Sequence, residues 1–315
     1  MNERLRAAVI GVGYLGRFHA QKYAALPDVD LIGVVDANPA QAERVARELG
    51  VAAYPAITAL EGRIDLVSVA STTESHHDVV RACLQQGLHV LVEKPITVTV
   101  AEADALIALA SEYGRVLQVG HLERFNPAWL AVREQIARPV FIEAHRMAPF
   151  KPRGIDVSVV LDLMIHDLDL ILPLVDSPLK ELRASGVSVL TDGVDIANAR
   201  LEFENGCVAN ITASRTSTAP LRRMRIFQHH EYLSIDFGER TIGISRRRDA
   251  LIDAVDTNEP PIETDTHQQP PGDALMTEIR AFVDAVRNGT PPPVSGRDGR
   301  EALAVALEIE RLIAR

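Results

Sequence analysis

The stretch LRAAVIGVGYLG, residues 5–16, decides the fold of the first part of the chain. It opens with an apolar run of the length of a buried β-strand and continues into Gly11, Gly13 and Gly16 at the spacing G-x-G-x-x-G. Glycines at this spacing permit a tight turn, a close approach of the backbone to a pyrophosphate, and close packing of a helix on a strand. The stretch therefore predicts a strand, a dinucleotide-binding turn and the start of a helix.

The remainder of the first 120 residues repeats this alternation of strand and helix. Its apolar runs are rich in Val, Leu and Ile, and helical patterns separate them. Continuous apolar strands separated by helices are typical of a parallel sheet covered on both faces, so we predict a doubly wound α/β domain. The predicted strands are 5–11, 30–36, 65–71, 88–94 and 116–120, and the predicted helices are 14–26, 39–49, 76–86 and 99–113.

The pattern changes after His121, where a second domain is predicted. Strand-like runs follow one another without intervening helices, and Asn205-Gly206 between two of them is a strong hairpin signal. We therefore predict an α+β domain with a mainly antiparallel sheet over residues 122–315, after a Rossmann domain over residues 1–121. The predicted strands are 139–147, 182–190, 194–204, 207–215, 222–230 and 231–237, and the predicted helices are 127–136, 159–175, 273–288 and 298–314. The last two helices could instead pack back on the first domain. The Pro-rich segment 253–272 is predicted to be a loop.

Composition excludes several classes of function. A net charge of −10 argues against a general nucleic-acid binder. No stretch reaches the roughly 18 to 20 apolar residues that a membrane span needs. The two cysteines, Cys83 and Cys207, have no metal-ligand spacing and form no disulfide framework. We therefore expect a cytoplasmic protein without a bound metal.

An acidic residue completes the dinucleotide signature. Asp36 ends the second predicted strand, 20 residues beyond Gly16, where a carboxylate can accept hydrogen bonds from a ribose diol. Residues 37–40 are Ala, Asn, Pro and Ala, so no Arg or Lys follows to hold a 2′-phosphate. This arrangement favours NAD over NADP.

Glu93-Lys94-Pro95 ends the predicted strand 88–94. Ligands of open α/β sheets bind beyond the carboxyl ends of the strands, so Lys94 is expected near the cofactor. The chain has only four lysines, which weighs against an incidental surface position. Its ammonium could stabilise negative charge that develops on a substrate oxygen.

The helix 159–175, VVLDLMIHDLDLILPLV, carries four polar residues in an apolar sequence. At about 100° per residue, Asp162, His166 and Asp169 fall on one narrow line. His166 is suited to take a hydroxyl proton as hydride leaves the carbon, and Asp162 could hold His166 or Lys94 in place. Asp167 lies off this line and is expected to need a backbone N–H or an Arg partner.

The chain resembles the family of glucose–fructose oxidoreductase and inositol dehydrogenase. The resemblance rests on the order and spacing of three motifs: the glycine motif, Glu93-Lys94-Pro95 and the Asp162…His166 pair. The resemblance implies an open-faced second sheet, often used for oligomer contacts, and hence a homodimer or homotetramer. It also implies a catalytic group and a set of cofactor contacts. The implied catalytic residues are Lys94, Asp162 and His166; the implied cofactor contacts are Gly11, Gly13, Tyr14, Leu15, Gly16, Asp36, Ser71, Thr72, His76, Glu93 and Lys94.

Three segments, GHLERFNP at 120–127, PFKPRG at 149–154 and LDLMIHD at 161–167, resemble the subgroup that oxidises the 3-hydroxyl of UDP-N-acetylglucosamine for lipid A synthesis. Arg binds a diphosphate well through bidentate hydrogen bonds. Arg146, Lys151 and Arg153 lie close together in the sequence just before the helix 159–175, so they could form a diphosphate-binding cluster. A free polyol or sugar dehydrogenase and a catalytically silent NAD-responsive regulator remain as alternatives. The implied substrate contacts are Lys94, Arg124, Asn126, Lys151, Arg153 and His166.

Overall fold

A computed structural model of the chain describes residues 4–150, 157–247 and 262–314. These residues divide into two units. The first unit comprises the chain up to Leu122 together with Asp273–Leu303, and the second comprises Glu123–Gly272 together with the chain from Ala304 onward. Lys151 and Arg153, proposed above as substrate contacts, lie outside the described residues.

A six-stranded parallel sheet forms the centre of the first unit and confirms the doubly wound prediction. The strands are β1 (Leu5–Ile10), β2 (Val29–Val35), β3 (Ala52–Tyr54), β4 (Leu66–Val69), β5 (His89–Glu93) and β6 (Leu117–Gly120), and the helices are α1 (Tyr14–Ala25), α2 (Pro39–Leu49), α3 (Thr73–Gln85) and α4 (Val100–Glu112). The strand order is β3-β2-β1-β4-β5-β6, so the chain reverses direction across the sheet between β1 and β4.

Two elements of this unit differ from the sequence prediction. Strand β3 is new, and its three residues, two of them exposed, are too few to show a strand period. Helix α3 begins at Thr73, three residues earlier than predicted, because its first turn is polar and shows no apolar periodicity.

The second unit is built on an eight-stranded, mainly antiparallel sheet, as predicted. Its strands are β7 (Phe141–Met147), β8 (Leu179–Val187), β9 (Ile196–Phe203), β10 (Val208–Ser214), β11 (Leu221–Gln228), β12 (Glu231–Asp236), β13 (Thr241–Arg247) and β14 (Ile262–Gln268), and the remaining helices of the chain are α5 (Pro127–Val132), α6 (Ile165–Val175), α7 (Ala274–Asn288) and α8 (Gly296–Ile313). The order is β14-β13-β12-β11-β7-β10-β9-β8, and among the described strands of this sheet β7 and β10 form the one parallel pair.

Strand β13 was not predicted, although its buried residues Ile242 and Ile244 alternate with half-buried ones. Strand β14 corrects the loop prediction for 253–272. Residues 262–268 pair antiparallel with β13 although all seven are exposed. An exposed edge strand shows no burial pattern, so the sequence gives little sign of it. Residues 253–261 lie outside the described residues.

One face of the second sheet is buried and the other is open. In β7 the buried residues Ile142, Ala144 and Arg146 alternate with half-buried ones, and β9 and β10 alternate in the same way. Such alternation is typical of an antiparallel sheet with one covered face. A π-helical turn, Val160–Met164, precedes α6 and packs near β10.

Helix α7, which follows the second sheet in the chain, belongs to the core of the first unit. Leu275, Ile279 and Phe282 are buried in one apolar cluster with Tyr23 of α1. Arg280 also pairs with Asp28, which follows α1, with 2.7 Å between Nη1 and Oδ1. Apolar burial and ion pairing therefore both hold α7 in this unit. Among the described helices, none is both long and apolar enough to cross a membrane.

We predict that His89, at the start of β5, makes folding sensitive to acid. Burial, with a smaller contribution from the Arg115 guanidinium, lowers the pKa of His89 from 6.5 to about 4. Between these two values the unfolded chain binds a proton that the folded chain does not bind, so stability falls as the pH drops through this window. Thermal unfolding of the wild type should therefore shift to lower temperature between pH 7 and pH 4, and the shift should be smaller in His89→Asn. Equal shifts in both proteins would contradict the assignment.

Candidate active site

The three glycines of the turn after β1 are required for different reasons. Gly11 has φ +78°, and a Cβ there would lie 2.6 Å from the Ser71 nitrogen. A Cβ on Gly16 would lie 1.7 Å from the carbonyl oxygen of Gly11. A Cβ on Gly13 would have no atom within 4 Å. The protein itself therefore requires the first and third glycines, whereas the second keeps space open for a ligand.

A cavity of about 460 Å³ lies at this turn, beyond the carboxyl ends of β1, β2 and β4. The N-cap of α1 is Gly13, which makes no side-chain capping hydrogen bond, and the first turn of α1 has no acidic residue. A helix N-terminus of this kind attracts phosphate through its N–H groups and its dipole. The cavity therefore fits the phosphate and adenosine part of a dinucleotide. Its lining residues are Ile10, Gly11, Gly13, Asp36, Ala37, Ala70, Ser71, Thr72, Ser75 and Val79.

Asp36 lines this cavity and also holds the glycine turn. Its Oδ2 accepts a hydrogen bond from the Val12 N–H at 2.8 Å, and its Oδ1 accepts one from the Asn38 N–H at 2.9 Å. The amide of Gln41 donates to the Val12 carbonyl from the other side. A carboxylate has about four acceptor positions, so Asp36 keeps capacity for ribose hydroxyls.

The chain around Lys94 is fixed by buried histidines. Lys94 itself is half-buried, and the Lys94–Pro95 peptide bond is cis. The Glu93 carboxylate lies 2.9 Å from Nε2 of His19, so it points into the unit. His76 lies with Nδ1 2.9 Å from the Pro95 carbonyl oxygen and Nε2 3.1 Å from that of Ser71. Glu93 and His76 were both predicted to contact the cofactor. In the structure their side chains contact other residues of the protein instead.

Burial dominates the protonation of His76. It lowers the pKa of His76, and the hydrogen bonds to Pro95 and Ser71 oppose this shift without cancelling it. The ring is 1% exposed. A neutral imidazole carries one N–H, so His76 can donate to only one of these two carbonyl oxygens, and the shorter contact is to Pro95. His76 is therefore suited to fix the loop at Pro95 rather than to exchange a proton with solvent.

In the second unit, Asp167 has the Arg partner that the sequence led us to expect. Arg146 donates from Nε to Oδ2 and from Nη2 to Oδ1 of Asp167, both at 2.9 Å, and from Nη1 to Glu123 at 3.1 Å. All three side chains are buried. Burial alone would lower the pKa of Arg146, but the carboxylates of Asp167 and Glu123 outweigh it and raise the pKa.

Arg146 is therefore paired with carboxylates and not available to a diphosphate, so the predicted basic cluster before the helix 159–175 is wrong at this residue. The sequence contained a signal for this outcome. In β7, Arg146 lies two and four residues from Ala144 and Ile142, so strand alternation places all three on the buried face. A buried guanidinium needs a carboxylate, and Asp167 supplies it.

Arg124 and Asn126, predicted as substrate contacts, have partners within the second unit. Arg124 donates from Nε and Nη2 to the two carboxylate oxygens of Asp169, both at 2.8 Å. Asn126 caps α5 by accepting a hydrogen bond from the Ala128 N–H at 3.0 Å, and it donates to the Phe237 carbonyl at 3.1 Å. Both residues therefore support the structure around α5 and α6.

Asp162 and His166 differ from the two paired acids of this helix. Both are half-buried, whereas Asp167 and Asp169 are buried. Asp162 lies within the π-helical turn, so the regular count of 100° per residue does not hold for it. Single π-helical turns are frequent at functional sites, because the wider turn changes the direction of its side chains. Asp162 and His166 are thus the two polar residues of the helix that remain partly accessible.

Two family models match the chain. One, described as the oxidoreductase family with an NAD-binding Rossmann fold, matches residues 5–121, and the other, the GFO/IDH/MocA C-terminal domain, matches residues 133–232. The UDP-N-acetylglucosamine 3-dehydrogenase of Acidithiobacillus ferrooxidans is 43% identical over 97% of this chain and 96% of the relative. The chain belongs to the GFO/IDH/MocA family of oxidoreductases. The resemblance inferred from the sequence motifs is thereby confirmed.

Solved structures and other family members agree with this assignment. A crystal structure of the Acidithiobacillus ferrooxidans enzyme superposes with a TM-score of 0.92 at 42% identity, covering 98% of this chain and 97% of that one. The scyllo-inositol 2-dehydrogenase (NAD(+)) of Bacillus subtilis is 26% identical over 98% of this chain and 93% of the relative. As a GFO/IDH/MocA member, the chain is a nicotinamide-dependent oxidoreductase that acts on CH–OH groups.

We predict that substitutions at two glycines of the turn separate cofactor binding from folding. Gly13→Ala should fold normally but bind the dinucleotide at least about tenfold more weakly, because the new methyl group fills ligand space. Gly16→Ala should instead lower the unfolding temperature, because its Cβ would overlap the Gly11 carbonyl oxygen. Calorimetric titration with the dinucleotide and thermal unfolding measure the two effects. Unchanged affinity in a folded Gly13→Ala protein would contradict the assignment of the cavity.

We predict that the buried ion pair of α6 is essential for stability. Asp167→Ala leaves the Arg146 guanidinium buried with Glu123 alone, so unfolding in urea should become easier by about 3–5 kcal/mol. Glu143→Ala, which removes the partly exposed pair between Glu143 of β7 and Arg225 of β11, is the matched control and should cost no more than about 1 kcal/mol. Similar losses in the two variants would show that burial of the pair is not the cause.

Proposed function

We propose that the chain oxidises the 3-hydroxyl of UDP-N-acetylglucosamine, with NAD as the hydride acceptor. The observation that carries the proposal is the similarity to the Acidithiobacillus ferrooxidans enzyme, at 43% identity over nearly the whole of both chains. The residues that the chemistry needs are also present, with Lys94 at the end of β5 and Asp162 and His166 on the helix that opens with the π-helical turn.

Each of these side chains is proposed to have one task. Bound at the glycine turn, a nicotinamide dinucleotide supplies a hydride acceptor. An imidazole nitrogen of His166 takes the proton of the sugar hydroxyl. The Lys94 ammonium stabilises the negative charge that develops on the hydroxyl oxygen. Asp162 orients His166 or Lys94 and offsets their positive charge.

Asp36 supports the preference for NAD. Its carboxylate lines the cavity next to Ala37, and residues 37–40 contain no cation. A carboxylate accepts hydrogen bonds from ribose hydroxyls but repels a 2′-phosphate. We propose on the same basis that Ser71 and Thr72, which line the cavity too, bind the cofactor.

Three finer assignments complete the proposal. The open face of the second sheet is proposed as the contact surface of a homodimer or homotetramer. It carries the stacked rings of Phe227 and Tyr232, with Phe141 beside them. The keto sugar product would feed an aminotransferase that supplies a diamino sugar for lipid A, and the enzyme would work in the cytoplasm. Resemblance to the nucleotide-sugar subgroup supports these assignments.

A free polyol is the second candidate substrate, because inositol dehydrogenases are also relatives. The enzymes of Bacillus subtilis and Thermotoga maritima are 26% and 27% identical to this chain. They match over 98% and 95% of it, so they share its whole architecture. The lower identity makes the polyol the weaker candidate.

We predict that NADH forms with UDP-N-acetylglucosamine and not with inositol or glucose, measured at 340 nm. Lys94→Ala and His166→Ala should each lower kcat by at least about 100-fold, because each removes a group that acts on the reacting oxygen. Calorimetric titration should show unchanged NAD binding in His166→Ala.

Matched controls are an exposed lysine and an exposed histidine outside the proposed site. Lys180→Ala in β8 and His229→Ala in the turn after β11 should keep wild-type turnover. Turnover of inositol in place of the nucleotide sugar would select the second candidate. Full activity of both Lys94→Ala and His166→Ala would refute the assigned chemistry.

A further inference from the structure

The two chain neighbours of Lys94 are each held by a buried histidine. Glu93 is held through its carboxylate by His19 of α1, and Pro95 is held through its carbonyl oxygen by His76 of α3. Neither histidine is more than 1% exposed. The backbone is thus fixed on both sides of Lys94, the residue proposed to stabilise negative charge on the substrate oxygen.

The contact on the Glu93 side belongs to a chain of hydrogen bonds. His19 Nε2 lies 2.9 Å from Glu93 Oε1, and its Nδ1 lies 3.1 Å from the Ser68 hydroxyl. The Tyr23 hydroxyl lies 2.9 Å from the same Ser68 oxygen. Burial raises the pKa of Tyr23, so its hydroxyl remains a donor. Tyr23 can therefore donate to Ser68, Ser68 to His19, and His19 to Glu93.

The same place also holds a group of potential metal ligands. The carboxylate of Glu278 in α7 lies within 4.8 Å of the ligand atoms of His19 and Glu93, a distance compatible with a shared ion. In the arrangement seen here, His19 Nε2 contacts Glu93 itself and Nδ1 contacts the Ser68 hydroxyl. The cluster is better described as a hydrogen-bond network.

The neighbouring strand leaves room for the Glu93 side chain. Glu93 pairs with Gly120 of β6, and a Cβ on Gly120 would lie 2.9 Å from the carboxyl carbon of Glu93. Glu93 also lies two residues from Leu91 on the same face of the strand, and Leu91 is buried in the apolar cluster with α1 and α7. The packing of Leu91 and Glu93 therefore sets the direction of the backbone at the next residue, Lys94.

Stability alone does not account for the network. A buried carboxylate costs free energy unless it is well paired, and an apolar side chain of similar volume is often as stable. The three preceding residues of β5, Val90, Leu91 and Val92, are apolar and fully buried. Between His89 at its start and Glu93 at its end the strand is entirely apolar, so a buried carboxylate occurs in β5 only next to Lys94. Satisfied buried networks fix a unique geometry, and geometry is what an oxyanion contact requires.

We propose that His19 is a positioning residue for Lys94, acting through Glu93, while His76 fixes the opposite side through Pro95. The assignment rests on the proposed role of Lys94. In His19→Ala, kcat for the nucleotide sugar should fall about 10- to 100-fold, because a small displacement of a catalytic group has this effect. KM for the sugar and for NAD should change by no more than about twofold, since His19 contacts neither.

Two further variants distinguish positioning from general stability. His19→Gln can still donate to Glu93 and accept from Ser68, so it should recover most of the lost kcat. His89→Asn is the matched control, because His89 is a half-buried histidine at the opposite end of β5 and accepts a hydrogen bond from Val116 at 3.0 Å. His89→Asn should keep wild-type kcat at pH 8.

A second readout needs no substrate. The chain has four lysines, so reductive dimethylation with ¹³C-formaldehyde gives a simple NMR spectrum, in which Lys94→Arg identifies the Lys94 signal. The chemical shift and apparent pKa of this signal should change in His19→Ala, return towards wild type in His19→Gln, and stay unchanged in His89→Asn. If His19→Ala does not fold, Glu93→Gln, which keeps the shape of the side chain, takes its place.

The two readouts separate the two hypotheses. If the wild type does not turn over UDP-N-acetylglucosamine, the proposed function fails, and the Lys94 signal still tests the positioning. An unchanged Lys94 signal in a folded His19→Ala protein would overturn the positioning role. An equal change in His89→Asn would overturn it as well, because the effect would then come from general loosening of the strand.

Discussion

The close contact between α1 and the turn after β1 is the constraint on which the first unit depends. With a side chain at Gly16, α1 could not lie against the Gly11 carbonyl. The helical period then carries this contact further along the helix, because His19 and Tyr23 follow Gly16 at three and seven residues and face the same side. Both reach Ser68 of β4, and His19 reaches Glu93 of β5. The absence of a side chain at Gly16 thus determines both where phosphates can bind and which side chains reach the end of β5.

Charge has a different role in the second unit. Asp167 and Asp169 lie two residues apart on α6 and take Arg146 of β7 and Arg124, just before α5, as their partners. Each pair joins segments that are distant in the sequence, and each leaves its carboxylate inaccessible. The charges that look misplaced in an apolar helix therefore fix its rotation on the sheet. With these two acids buried, Asp162 and His166 are the polar residues of the helix that stay partly accessible.

The sequence predicted the repeated elements of the first unit well and several elements of the second sheet less well. Five of the six strands of the first sheet were predicted from apolar runs, whereas β3 is too short to show such a run. In the second sheet β14 is exposed and shows no such run, and β13 was missed although buried and half-buried residues alternate along it. Gly11 and Gly16 were predictable because the close contact between the turn and α1 leaves no room for a side chain at either position. The partners of Asp169 and Glu93 were not, because they depend on tertiary contacts 45 and 74 residues away in the chain. The π-helical turn also escaped prediction, since a count of 100° per residue presumes a regular helix.

The position of α7 has a consequence for how the chain matures on the ribosome. Domains generally fold as units, in order of synthesis. Here the core of the first unit includes Leu275, Ile279 and Phe282, which are translated only after the whole second sheet. Until then the apolar face around Tyr23 has no cover, and Asp28 lacks the cation that Arg280 supplies. The nucleotide-binding half begins the chain but is completed near its end, so a nascent chain interrupted earlier would expose this surface to chaperones.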